Sequence, residues 1–233
     1  GLDAESLERA AVMLGVGMGS IRHIEDATRV LDAKGPRRVS PYLVPAMVGN
    51  LAAGQIAIRF GCRGPNMSTT AACTSGAQAI GEAMWMIRSG RCDVALAGGA
   101  ESSVDAIALS GFASLRAVSK EEDPAAASCP YDRRRNGFVL GEAAAVLALE
   151  ELEHARRRGA NILAELRGYA TMTDAFHIAS PAPDGVGLRL AIEETLRDAG
   201  VPADSIGYVN GHATSTPVGD EIEAQVLAKA LPG

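Results

Sequence analysis

Two residues of this chain have neighbours that suit them to covalent chemistry. Cys73 stands in TTAACTSGAQAIGEAMWMIRSG (residues 69–90), between a run of tiny residues and a helix-like apolar stretch. A helix N-terminus gathers unpaired N–H groups and the positive end of the macrodipole. Together these can pull a nearby thiol well below its usual pKa of ~8.5. Ala71, Ala72, Thr74, Ser75 and Gly76 are small, which leaves room for a carbonyl to reach the sulfur and for backbone N–H groups to meet its oxyanion. A structural thiol in a tight core fits the same position, because cysteine is among the most buried residue types. From the residues alone both readings of Cys73 stand.

His212 is the second candidate. It lies in NGHATST (residues 210–216), a polar loop directly after an expected strand. Loops at the carboxyl ends of strands often face a ligand in α/β proteins. An imidazole there could donate to a developing oxyanion or act as a base, or it could merely hydrogen-bond within a turn. Cys62, Cys92 and Cys129 lack the setting of Cys73 and read as structural. His23, His154 and His177 have weaker contexts, and His154 is expected on a solvated, charged helix face. The interval between Cys73 and His212 also fits a papain-like protease, which places its histidine about 130–150 residues after the cysteine. The C-G-[SA]-C-[WY] pattern of that family is absent, as are a secretory start and a high aromatic content.

The elements that must position these residues follow from composition and pattern. The chain has 233 residues, 47% apolar and 21% charged, enough for one large or two small globular domains with a real core. Aromatics are only 4% against 26 glycines, so the core is expected to be Ala, Val, Leu and Ile packed around tight turns. The net charge of −6 argues against general nucleic-acid binding, and no apolar run is long enough for a membrane span. The first ten residues lack the basic and apolar regions of a signal peptide, so a cytoplasmic setting with reduced thiols is expected. Without a C-x-x-C pair no zinc site is expected, and no metal ligand is assigned.

Strands are expected at residues 11–17, 67–72, 93–98, 143–149, 162–169 and 206–210. Residues 41–64 are expected to hold a short buried helix. Residues 75–88 read as a helix apolar nearly all round, hence buried. Further helices are expected at 150–158, ended by Gly159, at 188–199, stopped by Gly200 and Pro202, and from about Asp220 onward. Alternating strands and helices with continuous apolar strands imply an α/β protein whose sheets are covered on both faces.

With Cys73 and His212 taken together, the sequence resembles the β-ketoacyl-acyl-carrier-protein synthases of the elongating type, which have a thiolase-like fold. The resemblance runs along the whole chain through GPRRVSPYLVPAMVGNLAAGQIAIRFGCRGP (35–65), AACTSG (71–76), DVALAGGAES (93–102), GFASLRAVS (111–119), CPYDRRRNGFVLGEAAAVLALEELEHARRRGA (129–160) and YVNGHATSTPVGDEIEA (208–224). It implies a layered α/β/α/β/α fold, incomplete at both ends. Residues 1 to about 170 would be most of the N-terminal half, and about 171–233 the start of the C-terminal half. The implied activity is decarboxylative Claisen condensation in fatty acid synthesis. Cys73 would carry the acyl chain as a thioester, and His212 would match the first of two catalytic histidines. Thr214 and Thr216 match threonines that bind the pantetheine arm. Ser180 borders the same tunnel, and Met18 lines the acyl pocket near a dimer interface. Arg37 and Arg38 match a basic patch that docks the acidic acyl carrier protein. No cofactor is implied beyond the phosphopantetheine that the carrier protein brings, and a homodimer is implied.

The resemblance has departures. The family's second histidine, a lysine and a glycine-rich Phe loop are expected beyond residue 233, and a first strand and helix before residue 1, so condensation by these residues alone is not expected. The family's A-H-G order reads Gly211-His212-Ala213 here, and a Cβ at 213 is costly if that position needs a positive φ. Ala71 stands where threonine is common. Cys129 and Asn136 replace an arginine and an aspartate, and Glu121, Glu122 and Asp123 fill a loop that is often basic. A polyketide ketosynthase domain and a non-catalytic ketosynthase-like partner subunit of the chain-length-factor type are the alternatives.

Overall fold

The computed structural model describes residues 3–231. The chain divides into two compact units, residues 1–108 with 141–165, and residues 109–140 with 166–233.

The first unit is built on a four-stranded sheet in the order β2-β1-β3-β4. Its strands are β1 (Ala11–Gly15), β2 (Asn66–Thr69), β3 (Val94–Glu101) and β4 (Ala143–Glu150). β1 pairs in parallel with β2 and β3, and β4 runs antiparallel to β3. Side chains alternate across the sheet, so β1 serves two cores. Ala11 and Met13 point to one face, against Ala79, Ala83 and Met86 of helix α5 (Ser75–Arg88) and Ala95 and Ala97 of β3. Val12 and Leu14 point to the other, against Ala53 of α4 (Asn50–Phe60), with Leu7 of α1 (Ala4–Arg9) alongside. Burying Met13 contributes about 1.5–3 kcal/mol. Helices α2 (Ile21–Lys34) and α3 (Leu43–Met47) follow β1, and α6 (Ala106–Ser114) carries the chain into the second unit.

The expected helix at 41–64 is therefore two helices, α3 and α4, and only Ala53 of α4 is buried. α5 is not buried all round, because Trp85 is 41% exposed on the side away from the sheet. Residues 143–148 of β4 are exposed rather than covered. β4 ends the sheet, so its outer edge meets no strand among the described residues.

The second unit contains α8 (Val186–Ala199) and α9 (Pro217–Ala230). Residues 162–169 and 206–210, expected as strands, form no sheet among the described residues. An extended segment becomes a strand only when a neighbour completes its ladder of hydrogen bonds, and the apolar pattern alone supplies none. α9 begins three residues before the expected start, with Pro217 in its first turn, where the missing N–H costs nothing.

His154 corrects another expectation. It lies on α7 (Leu152–Arg157), yet it is half-buried and joins three elements. Its Nε2 meets Ser6 Oγ of α1 at 3.2 Å, and its Nδ1 lies 2.5 Å from Glu150 Oε1. Arg158 grips both Glu150 oxygens at 2.7 and 2.6 Å. The Arg158 guanidinium holds the Glu150 carboxyl below its ordinary value of 4.5; burial opposes this, and His154 adds to it. A carboxyl depressed in the folded state contributes stability above its unfolded pKa and loses it as pH falls through the folded pKa. Glu150→Gln should therefore flatten part of the loss of thermal stability below pH 4.5. Melting temperatures of both proteins from pH 7 to 3 test this, and parallel curves would contradict it.

Candidate functional site

Cys73 sits two residues before the first residue of α5, in a turn where β2 ends. It is exposed, while Cys62 and Cys92 are buried and burial pushes both of their thiols up. The turn is tight. Ala72 takes φ 49°, a left-handed conformation that costs a residue with a Cβ about 1–2 kcal/mol. Ser75, only 4% exposed, holds it. Its Oγ accepts the Ala71 N–H at 2.9 Å and donates to the Ala72 carbonyl at 2.6 Å. Thr74 Oγ1 donates to the Ala71 carbonyl at 3.0 Å, and Thr69 Oγ1 to the Ser75 carbonyl at 2.8 Å.

The same turn requires the helix to sit unusually close to the sheet. A Cβ on Gly15 would overlap the Ser75 carbonyl group, and a Cβ on Gly99 would come within 3.0 Å of the Gly76 Cα. The C-terminal ends of β1, β2 and β3 thus converge beside Cys73. Thr70 Oγ1 donates to the Val16 carbonyl at 3.0 Å, and the Val16 N–H to the Thr69 carbonyl at 3.0 Å. Met18, 44% exposed, follows in this loop, its N–H bonded to Glu101 Oε2 of β3 at 2.8 Å. Arg37 and Arg38 are exposed in a short 3-10 turn after α2. An apolar cavity of about 770 Å³ opens in this unit, lined among others by Val16, Tyr42, Met47, Leu51, Ala100 and Ala143.

In the second unit, His212, Thr214 and Thr216 share one loop, and its backbone is strained. Ala213 has φ 49° and Ser215 φ 65°, so the position that the sequence flagged does need a positive φ and carries a Cβ there. Such conformations persist where their surroundings over-determine them. Here Glu223, a buried acid of α9, does so for Ala213. Glu223 accepts the His212 N–H on Oε1 at 2.5 Å and the Ala213 N–H on Oε2 at 2.8 Å. Burial raises the Glu223 carboxyl, but these two bonds, the Tyr131 hydroxyl and the charge of His212 outweigh it, so its pKa is lowered. Asp220, 1% exposed, accepts the Tyr131 N–H at 2.8 Å and lies 3.9 Å from Arg135 Nε. Arg135 also donates to the Thr216 and Pro217 carbonyls at 3.3 and 2.7 Å.

Ser215 is fully buried; its Oγ accepts the Cys129 N–H at 3.1 Å and its carbonyl the Gly137 N–H at 2.9 Å. The Thr214 and Thr216 hydroxyls bond each other at 2.9 Å. His212 is exposed, as is Ser180, whose segment is pinned where Asp174 accepts the Ala182 and Gly187 N–H groups at 2.9 and 3.0 Å.

Ser75, Tyr131, Asp220 and Glu223 were not among the sequence candidates. Asp220 and Glu223 had a legible signal: acids three apart share a helix face, and helical side chains lean toward the N-terminus, here toward the His212 loop. Ser75 and Tyr131 had none.

Residues 1–155 match the family model of the beta-ketoacyl synthase N-terminal domain, and residues 163–233 that of the C-terminal domain. The chain is 45% identical over 231 residues to a 3-oxoacyl-[acyl-carrier-protein] synthase 2 of Vibrio cholerae, covering 99% of this chain and 56% of that protein. It is 50% identical over 222 residues to the protein of that name from Rhizobium meliloti, covering 94% and 52%. A solved structure of a type II PKS acyl-carrier protein in complex with its ketosynthase superposes with a TM-score of 0.92 at 30% identity, over 99% of this chain and 59% of that one. The chain spans about half the length of the curated relatives it matches.

Ser75→Ala removes both Ser75 side-chain bonds to the Cys73 turn and leaves the part-buried Ala71 N–H without that acceptor. Unfolding in denaturant should show a loss of roughly 1–3 kcal/mol. The rate at which iodoacetamide modifies Cys73, followed by mass spectrometry, should change as well. If stability and rate both match the parent, the brace has no role.

Proposed function

The chain belongs to the β-ketoacyl synthase family, and from that premise we propose that it carries out the acyl-loading and enolate-stabilising parts of a decarboxylative Claisen condensation in fatty acid synthesis. The observation that carries this reading is an exposed Cys73 in a turn braced by side-chain hydrogen bonds at the ends of three strands, while Cys62 and Cys92 are buried. The Cys73 sulfur attacks the thioester carbonyl of an acyl chain on acyl carrier protein. The carrier's thiol leaves with the proton, and the acyl group stays on Cys73, dividing a hard step into two easier ones. Malonyl-carrier protein then loses carbon dioxide as its C–C bond breaks. The enolate carbon attacks the Cys73 thioester, a carbon–carbon bond forms, and the Cys73 thiolate departs.

His212 donates to the enolate oxygen as its charge develops. A fixed donor in place before the reaction costs no reorganisation, and the Glu223 bonds to its backbone support that role. In this reading Thr214 and Thr216 bind the pantetheine arm, Ser180 borders it, and Met18 lines the acyl pocket. The exposed Arg37 and Arg38 meet the acyl carrier protein, a local attraction that matters on a chain of net charge −6. The cofactor chemistry is the carrier's phosphopantetheine, and the protein works in the cytoplasm as a homodimer. Residues 1 to about 170 supply most of the family's N-terminal half and 171–233 the start of its C-terminal half.

His212→Ala separates the steps. Removing an oxyanion donor costs about 10²–10³ in rate, so decarboxylation of malonyl-carrier protein should fall by that factor while acylation of Cys73 stays near the parent rate. Equal loss of both would overturn the role given to His212.

A further inference from the structure

The Glu223 carboxylate has a third partner besides the two backbone N–H groups of the His212 loop. The Tyr131 hydroxyl donates to Oε2 at 2.8 Å, the same oxygen that accepts from Ala213. Tyr131 is itself held in an unusual place. Its φ is 62°, and its N–H is bonded to the buried Asp220. The phenol remains a donor at any ordinary pH, because burial, the bond to Glu223 and the neighbouring Glu223 and Asp220 charges push its pKa up to about 12.

The room for this hydroxyl comes from the residue before His212. A Cβ built on Gly211 would overlap Tyr131 Oη and stand 3.3 Å from Glu223 Oε1. Any other residue at 211 would push the phenol off the carboxylate, or push the carboxylate off the peptide N–H groups that it holds. The Gly211-His212-Ala213 order therefore has a local cause on one side. A glycine precedes the histidine because Tyr131 occupies the space beside it.

We propose that Tyr131 and Gly211 act as a coupled pair that positions His212, the phenol filling the space of the absent Cβ and fixing the Glu223 carboxylate that holds the His212 and Ala213 backbone. Tyr131 is a positioning residue, acting on the imidazole through Glu223 and the loop. The proposal deepens the role given to His212 above and rests on it.

A double-mutant cycle tests the coupling with two readouts, malonyl decarboxylation and the NMR signals of the His212 ring. Tyr131→Phe loses one hydrogen bond and should slow decarboxylation roughly threefold to tenfold, with Cys73 acylation unchanged. Gly211→Ala should slow it more and shift the His212 ring resonances. The double variant should recover to the level of Tyr131→Phe alone, because removing the phenol oxygen makes room for the new methyl. That non-additivity is the signature of groups in contact. If Gly211→Ala fails to fold, the double variant should fold, since the overlap is gone.

Multiplying single effects, unshifted His212 resonances in Gly211→Ala, or a double variant as damaged as Gly211→Ala would each overturn the proposal. A parent protein that does not decarboxylate malonyl-carrier protein would instead count against the role of His212. The ring resonances and the folding of the four proteins would still decide whether Tyr131 and Gly211 are coupled.

Discussion

The first turn of α5 lies against β1 and β3 without side chains between them, and the presentation of Cys73 depends on that contact. Gly15 faces the Ser75 carbonyl, and Gly76 faces Gly99. A methyl on Gly15 would force helix and sheet apart. It would also move Ser75, whose hydroxyl closes the Ala71–Ala72 turn. The strained φ of Ala72 is held by this side chain and by Thr74, so the helix position and the turn conformation are one constraint. The alanine-rich core serves the same end. Ala79 and Ala83 meet Ala11, Ala95 and Ala97, and small side chains on both surfaces keep the helix low along its length.

The His212 loop solves a similar problem with charge. Ala213, Ser215 and Tyr131 all have positive φ. Their backbone N–H groups and carbonyls cannot be satisfied by a regular ladder in that conformation. Glu223 accepts the Ala213 N–H and Asp220 the Tyr131 N–H, the Ser215 carbonyl accepts the Gly137 N–H, and Arg135 donates to the carbonyls at the start of α9. Two buried carboxylates are costly to desolvate, and several charge-assisted hydrogen bonds offset that cost. Asp220 also lies in the first turn of α9, where the helix dipole favours a negative charge. The bonds that satisfy the buried Glu223 charge are therefore the same ones that hold the His212 and Ala213 backbone.

Where local pattern and tertiary partner agreed, the elements were legible. Residues 75–88 read as a helix and form α5 with those bounds, because the apolar spacing and the sheet that buries it point the same way. β1 and β3 were legible as apolar runs for the same reason. Residues 162–169 and 206–210 have the strand pattern without a ladder partner among the described residues, and pattern cannot reveal pairing. α2 carried a signal that went unread: Ile21, Ile24, Ala27, Val30 and Leu31 recur at helical spacing, although none of its residues is buried. Cys73 and His212 were visible through their neighbours. Ser75 and Tyr131 were not, because each acts through contacts that exist only after folding. His154 misled in the opposite direction: a charged helix in sequence became a half-buried link between α1, β4 and α7.

The proposed function turns on whether Cys73 is an acceptor of acyl groups. Intact mass spectrometry of the protein after incubation with acyl-carrier protein tests this most directly. A single added acyl mass is expected, mapped by peptide analysis to Cys73 and absent from Cys73→Ser under the same conditions. A folded protein that gains no acyl mass, or gains it on Cys62, Cys92 or Cys129, would contradict it.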